Sequence, residues 1–205
     1  EYTCVDINSE HGALALDLNY PMEDTSFYNR FDLVTDFGTN EHVFNVVEAY
    51  RTMHHICKPG GLIVIDQGVV DGNGYFLFDY SFFEGLAAAN NYKIIFASYV
   101  ISPKPKSKHF PSAQYLIPAA PQLLHSLDLS KVAYVGINYV MQKQTDEDFK
   151  YAYQADLLKS KYGHFGYKLQ FLPSPPSRSY IPMFDEQLSS VPTKDVIRES
   201  IRRIK

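Results

Sequence analysis

Short β-branched runs alternate with stretches of helical spacing through the first half of the chain. Residues 2–7, 13–18, 31–35 and 61–66 each read as a strand, the last most clearly, because its apolar run follows the breaker Pro59-Gly60-Gly61. Between the third and fourth of these, residues 40–57 read as a helix. Val43, Val46, Val47, Tyr50, Met53 and Cys57 recur at spacings of three and four and form one apolar stripe. Thr39 or Asn40 supplies a capping side chain, Glu41 lies in the first turn where the helix dipole favours it, and Lys58-Pro59-Gly60 stops the helix. A second helix is expected over residues 80–90 and a further strand over 92–100. This alternation predicts an α/β sandwich with a largely parallel sheet.

The texture then changes. Residues 102–122 carry Pro103, Pro105, Pro111, Pro118 and Pro121 with Lys104, Lys106 and Lys108 among them, the pattern of a long surface excursion, either a solvated loop or a substrate-facing insertion. Residues 131–142 read as a last strand and 146–161 as a helix. A proline-rich arm with Pro173, Pro175, Pro176 and Pro182 leads to residues 193–205, where Val196, Ile197, Ile201 and Ile204 make an apolar stripe on a basic helix. Such a tail can lie on a membrane or a partner, but docking on its own domain or on a neighbouring subunit is more common, so a homo-oligomer formed through this arm is one expectation. The division expected is an α/β domain over 1–145 and a C-terminal helix, arm and basic helix over 146–205.

Composition narrows the function classes. Nineteen Lys plus Arg against 23 Asp plus Glu give a net charge of −4, which argues against a broad nucleic-acid surface. No apolar run approaches the length of a membrane span, and the first residues lack the pattern of a secretory signal. The two cysteines, Cys4 and Cys57, are too few for a disulfide framework; their apolar neighbours suggest burial, and a reducing, cytoplasmic location follows as the default.

The candidate chemistry gathers at strand ends. Asp6, Asp17, Asp36 and Asp66 lie at or near the carboxyl ends of the four strands, where open α/β sheets place their ligands. Aspartate is also an ordinary turn former at such exits, so each acid taken singly has a structural reading as well.

Residues 31–43, Phe31-Asp32-Leu33-Val34-Thr35-Asp36-Phe37-Gly38-Thr39-Asn40-Glu41-His42-Val43, followed by a helix and then by Cys57-Lys58-Pro59-Gly60-Gly61-Leu62-Ile63-Val64-Ile65, resemble the middle of a class I S-adenosylmethionine-dependent methyltransferase. The resemblance covers roughly residues 2–100, and 131–142 fits that family's final antiparallel strand. It implies a Rossmann-like, mostly parallel sheet with helices on both faces and an antiparallel last strand. It also implies a cofactor, S-adenosylmethionine; the function expected is methyl transfer to a small-molecule or glycan-type acceptor. By position, Asp6 and Ile7 match the site that holds the cofactor's ribose, and an acceptor-only carboxylate suits two vicinal hydroxyls. Asp17 and Leu18 match the site that contacts adenine. Asp36, Phe37 and Gly38 match the lining of the methionine moiety, with the Phe37 ring near the sulfonium.

Two features depart from the family. Gly12 stands alone, with no glycine-rich loop before Asp6, so that loop and its strand are expected upstream of Glu1; the link from Asp6 to Ala13 is also short for a parallel crossover. For catalysis, His42 is the preferred general base, because imidazole exchanges protons near neutrality, with Glu41 beside it. Both also have a structural reading, Glu41 complementing the helix dipole and His42 packing. No metal site is expected: His54 and His55 are adjacent rather than four apart, and the other histidines show no ligand spacing. Tyr75, Phe76, Phe78, Tyr80, Phe82 and Phe83 are candidates to wall an acceptor pocket, with the core claiming at least half of them. The competing reading is a non-catalytic Rossmann-like module used for binding or assembly.

Overall fold

The computed structural model describes residues 2–70, 72–104 and 114–152. Two short strands, β1 (Val5–Asp6) and β2 (Leu14–Ala15), pair in parallel with each other and form a separate two-stranded ladder. The main sheet contains β3 (Phe31–Phe37), β4 (Cys57–Val70), β5 (Tyr92–Pro103), β6 (Tyr115–Pro118) and β7 (Val132–Lys143). Its order is β3-β4-β7-β5-β6. Three helices are described: α1 (Val46–Ile56), α2 (Tyr80–Ala89) and the short α3 (Pro121–His125).

This overturns the expected Rossmann-like, mostly parallel α/β sheet. The sheet is mixed, and only β3 and β4 pair in parallel; β4 with β7, β7 with β5 and β5 with β6 are antiparallel. Strand outweighs helix among the described residues, and α1 and α2 pack on one face rather than on two. The strand expected at residues 131–142 is present as β7, antiparallel to both of its neighbours, β4 and β5. The cause of the error is physical: alternation along a chain reports which segments are strands, whereas pairing order depends on contacts distant in sequence.

The core lies between that face and the two helices. Ile63 and Ile65 of β4, Ile137, Tyr139 and Met141 of β7 and Tyr99 and Ile101 of β5 alternate toward it and meet Tyr50 and Met53 of α1 and Phe83 and Leu86 of α2. The same parity sends Asp36 and Gln67 to the helix-covered face, and Phe37 and Asp66 to the opposite one.

Local departures from the sequence reading have local causes. The helix expected from residue 40 begins at Val46, because the Asp36 carboxylate accepts the Thr39 and Asn40 N–H groups at 3.0 and 3.1 Å and holds 40–42 in a 3₁₀ turn. The Lys58-Pro59-Gly60 breaker falls within β4 and bulges outward, since Phe31 pairs with Cys57 and Leu33 already with Leu62. Part of the proline-rich excursion is a strand, β6. Residues 146–152, expected to be helical, have no regular structure. Cys4 is exposed, contrary to expectation, whereas Cys57 is buried. The rest of that helix, the proline-rich arm and the basic tail lie outside the described residues. No described helix is long and apolar enough to cross a membrane.

Candidate functional site at the carboxyl ends of the parallel strands

Parallel pairing ends β3 and β4 side by side, with Phe37 opposite Asp66. The chain leaves β3 through Gly38, whose φ of +72° suits glycine, and whose N–H donates to the Asp66 carbonyl at 2.8 Å. A Cβ built on Gly38 meets nothing within 4 Å, so this turn borders open space.

Asp36 is buried here. Its carboxylate accepts the two backbone N–H groups of the 3₁₀ turn and the Gln67 amide at 2.6 Å. Burial nevertheless outweighs these three donors, and with some help from the nearby Glu41 charge it raises the Asp36 carboxyl to about 6. Asp66, half-buried on the other face, is also raised, by burial first and Glu41 second.

Glu41 ties the two strand ends together. One carboxylate oxygen accepts the Gly68 N–H at 2.8 Å, and the other lies 3.5 Å from Nε2 of the exposed His42. The Glu41 carbonyl accepts the N–H groups of Tyr75 and Phe76 at 2.7 and 3.2 Å. Gly74 makes this fit possible: a Cβ there would stand 2.6 Å from the Glu41 carbonyl oxygen and 2.8 Å from its Cβ. Glu41 is therefore a buried carboxylate clamped on both backbone and side chain, with one oxygen turned to an imidazole.

Of the four strand-end acids, only Asp36 and Asp66 share this rim. Asp6 is exposed on the separate ladder, where its carboxylate turns a local loop by accepting the Asn8 N–H, and the adjacent Ile7 is exposed too. Asp17 accepts the backbone and side-chain N–H groups of Asn19, which hold its carboxyl below the usual range. The turn formed by Asp17, Leu18 and Asn19 reaches the rim side of the molecule indirectly. Asn45, the residue that precedes α1, donates its backbone N–H to Asn19 Oδ1 and its side-chain amide to the Asn19 carbonyl, each at 2.9 Å.

Of the six candidate wall aromatics, Phe78 and Phe83 belong to the core and Phe76, Tyr80 and Phe82 pack against it; Tyr75 alone is strongly exposed. Its ring meets Phe44 edge to face at 6.1 Å. Phe44, Gln67 and the close-packed glycines of the 68–74 segment escaped the sequence reading. The usable signal was the absence of any Lys or Arg from residues 36–44 and 66–78 together with their acids. Among the described residues no three His, Cys, Asp or Glu side chains are grouped to hold a metal ion. In comparison with known proteins, the chain matches no family model and no curated sequence.

Proposed function

We propose that the chain is an S-adenosylmethionine-dependent methyltransferase for a small-molecule or glycan-type acceptor, working at the rim formed by Asp36–His42 and Asp66–Gly68. The observation that carries this reading is Glu41, fixed on Gly68 through one oxygen and facing His42 with the other, beside the open turn at Gly38. The clamp runs from the first segment of methyltransferase-like sequence, at Glu41, to Gly68 on β4, three residues beyond the end of the second.

The residues present fit a cationic, hydroxyl-rich cofactor. The rim is acidic and holds no Lys or Arg, the space beside Gly38 lets a ligand approach backbone, and the exposed Phe37 ring offers an aromatic face to a sulfonium. Phe37 and Gly38 would line the methionine end, with the buried Asp36 fixing the 39–40 turn behind them; Asp17 and Leu18 would hold the adenine, and Asp6 and Ile7 the ribose, the last pair from a separate ladder. When bound, the cofactor supplies an electrophilic methyl group on a positively charged sulfur. The protein's own part is to orient and to move a proton. Glu41 lies against the His42 imidazole, 3.5 Å from its Nε2, and His42 takes the proton of an acceptor hydroxyl or amine. Free thiols at Cys4 and Cys57 suit the reducing cytoplasm in which we place this activity.

Calorimetric titration of the protein with S-adenosylmethionine tests the reading. Saturable binding that weakens in Asp36→Ala is expected. Absence of binding by the parent protein rejects methyl transfer and leaves the non-catalytic module.

A further inference from the structure

Phe44 and Tyr75 are 78% and 72% exposed, yet neither sits on a loose loop. Phe44 lies between the buried Val43 and Asn45, which is held by two hydrogen bonds to Asn19. Tyr75 follows Gly74, packed against Glu41, and donates its own N–H to the Glu41 carbonyl. Two large apolar rings held in water on anchored backbone contribute little to folding, and such surface marks a contact site. The rings stand at 86° with centroids 6.1 Å apart, so they do not stack, and each keeps ring surface open to water. They form an open corner directly beside the clamped Glu41 and His42.

We propose that this corner seats the acceptor, and that the acceptor is a neutral sugar ring. The inference rests on the methyl-transfer reading and narrows its acceptor. The charge of the rim excludes the main alternatives by chemistry. Asp36, Glu41 and Asp66 without a Lys or Arg in either rim segment repel carboxylate and phosphate acceptors. A planar aromatic acceptor needs burial between apolar walls, whereas these rings are open to water on their outer side. A primary ammonium gains little over an exposed ring, because its N–H donors stay with water, whereas a sulfonium has no such donors to lose. A pyranose suits what is present: its C–H face lies on an aromatic ring while its hydroxyls stay hydrated, and an edge hydroxyl donates to a carboxylate or gives its proton to His42. Transfer to that hydroxyl forms an oxygen–methyl bond and breaks the sulfur–methyl bond; the hydroxyl proton goes to His42, and the sulfonium leaves as a neutral thioether.

Saturation-transfer NMR on the full chain, with a set of neutral methyl glycosides (gluco, galacto, manno, fuco, rhamno and xylo) beside benzylammonium, benzoate and phenol, tests the assignment. The expected result is saturation of at least one glycoside and of none of the charged or phenolic probes. Phe44→Ala and Tyr75→Ala should each weaken the glycoside about three- to tenfold at an unchanged melting temperature, and Tyr75→Phe should retain it. Binding of no glycoside, preference for another probe, or glycoside binding indifferent to loss of either ring overturns the inference. Calorimetry with S-adenosylmethionine on the same samples separates the two readings. Cofactor binding without glycoside binding rejects the sugar and keeps methyl transfer, whereas glycoside binding without cofactor binding rejects methyl transfer itself.

Discussion

At the C-terminal end of α1 the Lys143 ammonium is buried and donates to the carbonyls of His54 and Cys57 at 2.8 and 2.9 Å and to Asn29 Oδ1 at 3.0 Å. The His54 ring beside it accepts the Tyr92 hydroxyl at 2.6 Å and donates to the Glu147 carbonyl at 2.7 Å. The donors of these two side chains meet acceptors within the fold, and the carbonyls at the helix end accept from a cation, at His54 and Cys57, and from the Asn29 and Arg30 N–H groups, at His55 and Ile56. The N-terminal end of the same helix also buries charged side chains, Asp36 and Glu41, but it leaves one Glu41 oxygen to an exposed imidazole, with the open turn at Gly38 and the exposed Phe44 ring nearby in the chain and the exposed Tyr75 hydrogen-bonded to Glu41 through backbone. Burial of a polar group is therefore not by itself a functional sign. The difference lies in whether the group's hydrogen-bonding capacity is used up inside the protein, as at Lys143, or partly turned outward, as at Glu41.

The largest expected effect tests the outward-facing end. His42→Ala should lower methyl transfer about 10²- to 10⁴-fold, the range for loss of a general base, while leaving the melting temperature within about a degree because the ring is exposed. Turnover assayed with saturating cofactor and acceptor checks this. A tenfold or smaller loss makes His42 a bystander and returns Glu41 to a structural tie between β3 and β4.

Next in size is the inward-facing end. Lys143→Met removes the donor for three acceptors and leaves the two backbone carbonyls buried without it, so urea unfolding should show a loss of about 3–5 kcal/mol. Activity per folded molecule should not change. A loss below about 1 kcal/mol means that water or rotated side chains replace the ammonium, and the contrast between the two ends fails.

The sequence made the rim more legible than the sheet. Asp36, Phe37, Gly38, Glu41 and His42 lie within one short stretch, 36–42, which keeps its members together whatever the topology; the Pro59-Gly60-Gly61 turn likewise announces the strand that brings Asp66 alongside. What could not be read was long-range. Nothing local says that Val132–Lys143 inserts between β4 and β5, that Asp6 stays on its own ladder, or that Gly68 lies where Glu41 can accept its N–H across 27 positions. Lys143 carried no signal at all, because a lysine at the end of a strand usually faces water and its burial depends on carbonyls far away in sequence.

The smallest expected effect is a pair of opposed pH slopes. Asp36, buried and raised to about 6, binds its proton more tightly folded than unfolded, where a carboxyl titrates near about 3.9. Between these values the folded state holds the extra proton, so stability falls as pH rises from about 4 to 6. His54 is lowered to about 4, chiefly by burial, against about 6.5 unfolded; here the unfolded state holds the extra proton, and stability rises with pH over nearly the same window. Each contributes at most about 3 kcal/mol, and the two nearly cancel in the parent protein. Asp36→Asn keeps an acceptor for the two turn N–H groups and, with a rotated Gln67 amide, a partner for the otherwise unpaired Gln67 Oε1. Its unfolding free energy, measured from pH 4 to 6.5 and compared with the parent's, should therefore climb with pH. His54→Gln should descend. Parallel curves for the parent and both variants would show that neither group titrates between the two states in this range, and that the two ends of α1 differ in geometry without differing in proton affinity.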